Sequence, residues 1–285
     1  MMMNHKHIIS AICAICCLCG CSDWDDHYED TSSVGSTETL WQELKANPQL
    51  SDFCQVLEQT KVFRMHKKTP VSYADLLNSG QSFTVVAPIN GTFNKDSLLN
   101  LVQTNQGDSV VERLFVLNHL SRTLRSVTPN KKTMLLLNSK YVEIGPNGIE
   151  GVRVVTPNNH AKNGVLHITE RPLPYRNNLY EMLSNNPNLN QIGTLLRQYE
   201  EDYFDADHSV SSGIVEGVPV YVDSVVTEYN RMLQRIGYID AEDSTYMVVV
   251  PTNNGWSKAY EEASKYFVYD QKVQKRETDE DIGKI

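Results

Sequence analysis

The side chains able to do chemistry in this chain are few and scattered. Of its 6 cysteines, five crowd the stretch from Cys13 to Cys21, and Cys54 stands alone further on. Cys54 follows Phe53 within a helical pattern, which reads as an inert core thiol rather than a nucleophile. Asp205, Asp207, Ser209 and Glu216 occupy positions 1, 3, 5 and 12 of a calcium loop. Val210 stands where that loop needs glycine for its sharp turn, so the stretch reads as a solvated acidic loop and no metal or other cofactor is expected. Beyond Cys21 the chain has no Cys-x-x-Cys, and nowhere does it have His-x-x-x-His, Gly-x-Ser-x-Gly, a phosphate loop or a dinucleotide fingerprint. The adjacent carboxylates Asp25 and Asp26 lie in a stretch with nothing to raise a pKa or exclude water. No enzyme is expected. His119 and His167 read as buried, hydrogen-bonded imidazoles.

The one residue marked for covalent chemistry is Cys21. A weakly basic start, with Lys6, precedes a thirteen-residue apolar run from Ile8 to Gly20. A membrane-spanning helix needs roughly twenty apolar residues, so this run fits the core of a cleaved signal peptide. Leu18-Cys19-Gly20-Cys21 resembles the bacterial lipoprotein box. The resemblance implies removal of residues 1–20, a diacylglycerol thioether on Cys21 and palmitate on the finished anchor. Ser22-Asp-Trp-Asp-Asp-His-Tyr-Glu-Asp30 resembles the export signal that sends Bacteroidetes-type lipoproteins to the outer face of the outer membrane. Residues 21–38 are then an acidic tether. An acylated Cys21 leaves Cys54 without a disulfide partner. The mature chain has 25 basic against 35 acidic side chains, a formal charge of −10, which excludes nucleic acid as a partner.

Beyond the tether, Leu40, Trp41, Leu44, Leu50, Phe53, Val56 and Leu57 recur at helical spacing, interrupted by Asn47-Pro48. Ser51 is the expected N-cap of the second helix. The same pattern returns 139 residues later, without a gap, as Leu179, Tyr180, Leu183, Leu189, Ile192, Leu195 and Leu196 around Asn186-Pro187. A strand pattern also returns. Phe83-Thr-Val-Val-Ala-Pro88-Ile-Asn90 with Phe93 matches Tyr246-Met-Val-Val-Val-Pro251-Thr-Asn253 with Trp256, now 163 residues apart. The second copy therefore holds about 24 extra residues between helices and strand, by subtraction of the two offsets. Two domains are expected, at 39–175 and 176–285.

Phe83–Phe93 resembles the first signature of fasciclin-like domains: an apolar strand, Pro88, and Asn90 placed to cap the next turn. Asn163-Gly164-Val165-Leu166-His167-Ile168-Thr169 with Pro174 resembles the second, with Asn-Gly as a tight turn before a closing strand. Leu114–Leu120 is similar to the family's central segment; Asn118 stands where tyrosine is usual, and His119 is a landmark. The resemblance implies an α+β fold, a wedge of mostly antiparallel strands packed with short helices. Only 34 residues follow Pro251, and they contain no Asn-Gly-x-x-His strand, so the second copy is expected to be either part of a longer gene product or degenerate, and to leave a sheet edge or apolar surface open.

The functional expectation is a lipid-anchored surface module of a bacterium that binds a protein or glycan partner, as in adhesion. The alternative is an accessory polysaccharide-binding lipoprotein of an outer-membrane nutrient-uptake system. The anchor is tested by Cys21→Ala: the variant should lose labelled palmitate and leave the membrane fraction, and retention of both would refute the assignment.

Overall fold

The computed structural model describes residues 36–266 except 65 and 216–217, with only the backbone described at 203–228. Cys21 and the acidic tether before residue 36 therefore lie outside the described residues. The chain divides into two compact units that meet between Tyr175 and Arg176. Among the described residues, no helix is long and apolar enough to cross a membrane.

The first unit opens with α1 (Leu40–Ala46), whose Thr39 N-cap forms a reciprocal capping box with Gln42. Pro48–Leu50 makes one 3-10 turn, and α2 (Ser51–Gln59) comes directly after it. The hairpin β1 (Lys61–Arg64) and β2 (Lys67–Ser72) leads to α3 (Tyr73–Leu77), then β3 (Phe83–Pro88). Two short helices come next, α4 (Lys95–Leu101) and α5 (Asn105–Val111). The chain then loosens into a π-helical turn, Glu112–Val116, and tightens into a 3-10 turn, Leu117–His119. The remaining strands are β4 (Leu120–Ser121), β5 (Lys132–Leu135), β6 (Tyr141–Gly145), β7 (Gly148–Ile149), β8 (Val154–Ala161) and β9 (Gly164–Thr169).

A four-stranded sheet, ordered β4-β3-β9-β8, forms the centre of the unit. Its one parallel pair is β3 with β9, in unbroken register from Phe83↔Gly164 to Pro88↔Thr169. A strand covered on both faces needs apolar side chains throughout, as the run at 83–88 predicts, and all six residues of β3 are buried. Each large apolar side chain so buried contributes roughly 1.5–3 kcal/mol. β5, β6 and β7 form a separate antiparallel sheet over a second cluster built on Met134, Ile144, Ile149 and Val152. The α1, α2 and α3 helices close the main core with Leu40, Leu44, Phe53, Leu57 and Leu77.

Three local expectations change. Ser51 is the first helical residue rather than a cap: Asn47 receives the Gln49 amide across the entry turn. Asn90 does not cap the turn after it. Its Oδ1 reaches back to accept the Asp52 amide at 2.9 Å, while its Nδ2 donates to the Pro48 carbonyl at 2.8 Å and to Ser51 Oγ at 2.9 Å. One orphan N–H group of α2, that of Asp52, is thus satisfied from beyond a strand end far along the chain. Asn163-Gly164 is only half in its turn. Lys162 and Asn163 form the reversal, whereas Gly164 already pairs with both Ala161 and Phe83.

The second unit holds α6 (Leu179–Asn185) and α7 (Asn190–Arg197), a long hairpin β10 (Glu200–Val215) and β11 (Val218–Asn230), α8 (Leu233–Ile236) and α9 (Asn253–Ser264). Its core gathers Leu183, Leu195, Leu196, Tyr199, Met232, Leu233 and Ile239. The extra residues lengthen the hairpin after the helix pair. Asp205, Asp207 and Ser209 fall on the backbone of β10, a strand in place of the expected acidic loop; their side chains and Glu216 lie outside the described residues.

Hydrogen bonds of the first unit recur here at the expected offsets. Asn178 forms a capping box with Glu181, and Asn186 receives the Asn188 amide. Asn253 Oδ1 accepts the Gln191 amide at 3.1 Å, and its Nδ2 donates to the Pro187 carbonyl and Asn190 Oδ1, both at 2.8 Å. Even the backbone contact is repeated, Asn90 N–H to Gln49 and Asn253 N–H to Asn188. The strand is different. Tyr246–Pro251 forms no strand, and Met247 and Val249 are 92% and 90% exposed.

Gly164 marks the tightest point of the first unit. A Cβ there would lie 1.9 Å from the Phe83 carbonyl oxygen and 2.7 Å from Leu40 Cδ1. Gly164→Ala must therefore push β9 off β3, and a loss of about 3 kcal/mol or more is expected in denaturant unfolding of the first unit. A loss below about 1 kcal/mol would mean that the strand pair tolerates a wider spacing.

Candidate functional site

The landmark residues of the first unit come together around the β3–β9 pair, and their polar atoms are turned inward. Asn163 is buried. Its Oδ1 accepts the Leu40 amide at 2.7 Å, and its Nδ2 faces the carbonyls of Leu77, Ser79 and Gln81 at 2.9, 2.8 and 3.3 Å. One amide side chain thus ties the start of α1 to the loop between α3 and β3. Pro88 ends β3, and the Ile89 amide bonds to Thr169, so the strand closes against β9.

Both histidines use both ring nitrogens. His119 Nδ1 donates to the Phe115 carbonyl at 2.7 Å, and Nε2 accepts the Leu173 amide at 3.0 Å. His167 Nε2 donates to the Arg125 carbonyl at 2.8 Å, and Nδ1 accepts the Asn158 amide at 3.1 Å. Each pattern requires a neutral ring with one defined tautomer. Burial pushes both imidazoles down, each to about 4. Neither ring keeps a lone pair for a metal. His119 also lies against Phe53 and Phe115, with centroid separations of 5.8 and 4.8 Å. Asn118 is buried, donating to the Leu173 carbonyl and accepting from Asn138. It ties the central segment to the chain leaving β9.

A second polar group lies where α5 meets the β1–β2 hairpin, and sequence reading missed it. Asp108 and Glu112, one helical turn apart, are both buried. Asp108 accepts the Lys61 amide at 3.2 Å and pairs with Lys68 Nζ at 2.6 Å. Glu112 accepts the Phe63 amide at 2.8 Å and the Tyr73 hydroxyl at 2.6 Å. The two carboxylates thereby satisfy alternate N–H groups of β1, as a neighbouring strand would. Burial raises the pKa of Glu112 and, most strongly, that of Tyr73. The i,i+4 acidic spacing was the available signal, but it reads equally well as a solvated helix face. Burial also pushes the Cys54 thiol up to about 11, so it stays protonated in the core.

Among the described residues, a cleft open to solvent is found in each unit. One, of about 290 Å³, borders this carboxylate pair in the first unit and is lined by Phe63, His66, Gln106, Ser109, Val110 and Arg113 among others. The other, of about 400 Å³, lies between α7 and α9 in the second unit. Trp256, Tyr260, Gln191, Thr194 and Gln198 line it. Among the described residues no group of three or more His, Cys, Asp or Glu is placed to hold a metal ion.

Residues 48–174 match the model of the Fasciclin domain family. Among solved structures, the chain is similar to a domain pair from the insect cell adhesion molecule fasciclin I. The identity is 17% and the TM-score 0.35, over 48% of this chain and 51% of that one. The chain thus spans about half the length of that structure. No curated protein matches the chain. The first unit has the fasciclin fold, α+β with mostly antiparallel strands.

The two neutral histidines couple the first unit to pH. An unfolded histidine titrates near 6.5 and the folded ones near 4, so the unfolded chain takes up protons first. Their stabilisation is complete above about pH 6.5 and is lost as pH falls toward 4. By pH 5 the loss is roughly 2 kcal/mol for each ring. Glu112, with its raised pKa, acts in the opposite sense and offsets part of this loss. Thermal melts should show a falling Tm from pH 7 to pH 5, with a shallower slope in His167→Gln. An unchanged slope in that variant would contradict the assignment.

Proposed function

We propose that the protein is a bacterial lipoprotein held by Cys21 on the outer membrane, facing outward, and that it presents two fasciclin-like units to a protein or glycan partner. The single observation that carries the reading is the fasciclin domain at residues 48–174, a cell-adhesion-type interaction module. The second unit is read as a further copy, because its two Asn-centred circuits repeat those of the first residue by residue. The acidic tether gives the units reach from the membrane.

Within the first unit the landmark polar groups are committed to internal hydrogen bonds, so recognition falls to the surface. The cleft beside β1 and α5 supplies it. Glu112 pins the backbone of Phe63 at its edge, and its lining mixes apolar Val110 and Phe63 with polar Gln106 and Ser109. A partner docking there gains apolar burial without unpairing the buried carboxylates.

A second reading, an accessory polysaccharide-binding lipoprotein of an uptake system, is favoured by the cleft of the second unit. Trp256 and Tyr260 offer aromatic faces beside the neutral amides of Gln191 and Gln198. That combination suits the apolar faces and hydroxyls of a sugar.

Cells lacking residues 39–175 should lose attachment to matrix or to other cells while growing normally on polysaccharides. Val110→Asp should lower attachment without lowering Tm. Normal attachment with slowed growth on a polysaccharide, abolished further by Trp256→Ala, would replace the first reading with the second.

A further inference from the structure

We infer that the tip of the β1–β2 hairpin and the cleft beside it bind an acidic polysaccharide, through the carboxylate or sulfate groups of its sugars. The inference rests on reading that cleft as the partner surface of the first unit, and it names the partner's chemistry. From residue 61 to residue 72 the chain holds Lys61, Arg64, Lys67 and Lys68 and no acidic residue, although acidic side chains outnumber Lys and Arg by 35 to 26 in the whole sequence. Lys68 is matched inside the protein, by buried Asp108 at 2.6 Å. Arg64 and Lys67 are not. They stand directly opposite each other across the strand pair, both exposed, and among the described residues neither forms an ion pair. Like charges in that position destabilise a hairpin. The turn between them adds to the cost, since His66 is held at φ 58°, a region that glycine or asparagine enters more easily. Neither feature serves folding. Both gather basic side chains at the hairpin tip, next to a cleft that His66 and Arg113 line.

The surroundings hold this cluster in place and restrict what can bind it. Asp108 and Glu112 accept the Lys61 and Phe63 amides, so the strand carrying Arg64 is fixed by its backbone. Those two bonds also occupy an edge of β1, and on β2 Pro70 has no N–H to offer. An extended acidic peptide therefore finds no run of backbone groups to pair with as an added strand. Recognition falls to side chains. Asn105, Gln106 and Ser109 line the cleft, and among the described residues their side chains make no hydrogen bond within the protein. Two amides and a hydroxyl beside exposed cations match a sugar whose hydroxyls flank an anionic group. Arg64 can grip a carboxylate or sulfate through two N–H groups at once. The negative charge of the whole chain does not cancel this attraction, because at physiological salt exposed charges are screened beyond roughly 8 Å. The two carboxylates that pack against the hairpin, Asp108 and Glu112, are buried and already bonded.

The probes are heparin, polygalacturonate, dextran and polyglutamate, each titrated into the full-length chain by calorimetry at low and at physiological salt. Heparin or polygalacturonate should bind, more weakly as salt rises, while polyglutamate binds less tightly and dextran not at all. Arg64→Gln/Lys67→Gln should lower that affinity at least about tenfold, the scale of two lost cation contacts at an anionic surface. Its Tm should equal or exceed that of the parent chain, because the opposed like charges are gone. Lys162→Gln/Arg171→Gln removes the same charge from exposed positions elsewhere on the first unit and should bind as the parent does. No binding of either acidic polysaccharide, binding indifferent to salt, or equal losses in the two double variants would overturn the inference. So would a lower Tm in Arg64→Gln/Lys67→Gln, since the cations would then serve the hairpin itself. Polyglutamate binding as tightly as the polysaccharides would overturn it in favour of an acidic peptide. Val110→Asp separates this from failure of the underlying reading. If that variant lowers attachment while no acidic polysaccharide binds, the cleft remains the partner surface and only the chemistry assigned to it falls. If attachment is unchanged, the reading of the cleft falls first.

Discussion

The structure of the first unit depends on how closely β9 approaches β3. The two strands run parallel, in contact along their whole length, and only a residue without a Cβ fits opposite Phe83. That contact brings Asn163 to the start of α1 and to the loop before β3, and it brings His167 to the backbone of the Arg125 and Asn158 segments. Because each of these buried polar groups is satisfied by backbone from a different part of the chain, the strand pair and its surroundings form together. Parallel pairing joins residues about eighty positions apart in sequence, so this centre carries much of the loop-closure entropy of the unit.

A second framework is independent of the first. The helix pair and its asparagine clamp, α1–α2 with Asn90 and α6–α7 with Asn253, is built alike in both units. In each, an asparagine side chain from far along the chain accepts one amide of a helix N-terminus that has no side-chain cap of its own. The clamp persists where the flanking strands do not, so it does not require them. Its position also accounts for where the two units differ. The long hairpin β10–β11 starts after α7 and ends before Asn253, so it lengthens the second unit without disturbing the clamp.

These frameworks place the functional surfaces. Where the core is complete, the histidines, Asn90, Asn118 and Asn163 are occupied in holding backbone, and concave surface is left beside α5, where two buried carboxylates stand in for a strand along β1. In the second unit, among the described residues, an aromatic and amide-lined cleft lies between α7 and α9, and Met247 and Val249 are largely exposed. The fasciclin fold of the first unit supplies the frame on which the surface beside α5 is held.

Much of this was legible in the residues themselves. Apolar spacing placed the helices, the continuous run at 83–88 read as a doubly covered strand, and the offsets of 139 and 163 aligned the two units. These signals are local or periodic, and local physics determines them. The direction of a long-range hydrogen bond is different. Asn90 reads as a cap for the next turn, and only the fold shows that it turns back to α2. The i,i+4 spacing of Asp108 and Glu112 carries no sign of burial, and only the docking of β1 makes them buried acceptors. Asn163-Gly164 reads as a turn, but its glycine is required by the approach of β3 rather than by the reversal. By itself the sequence determined which segments are apolar, which are repeated and where the chain breaks. The tertiary structure alone decided which polar groups face inward, because that depends on backbone groups brought near from distant parts of the chain.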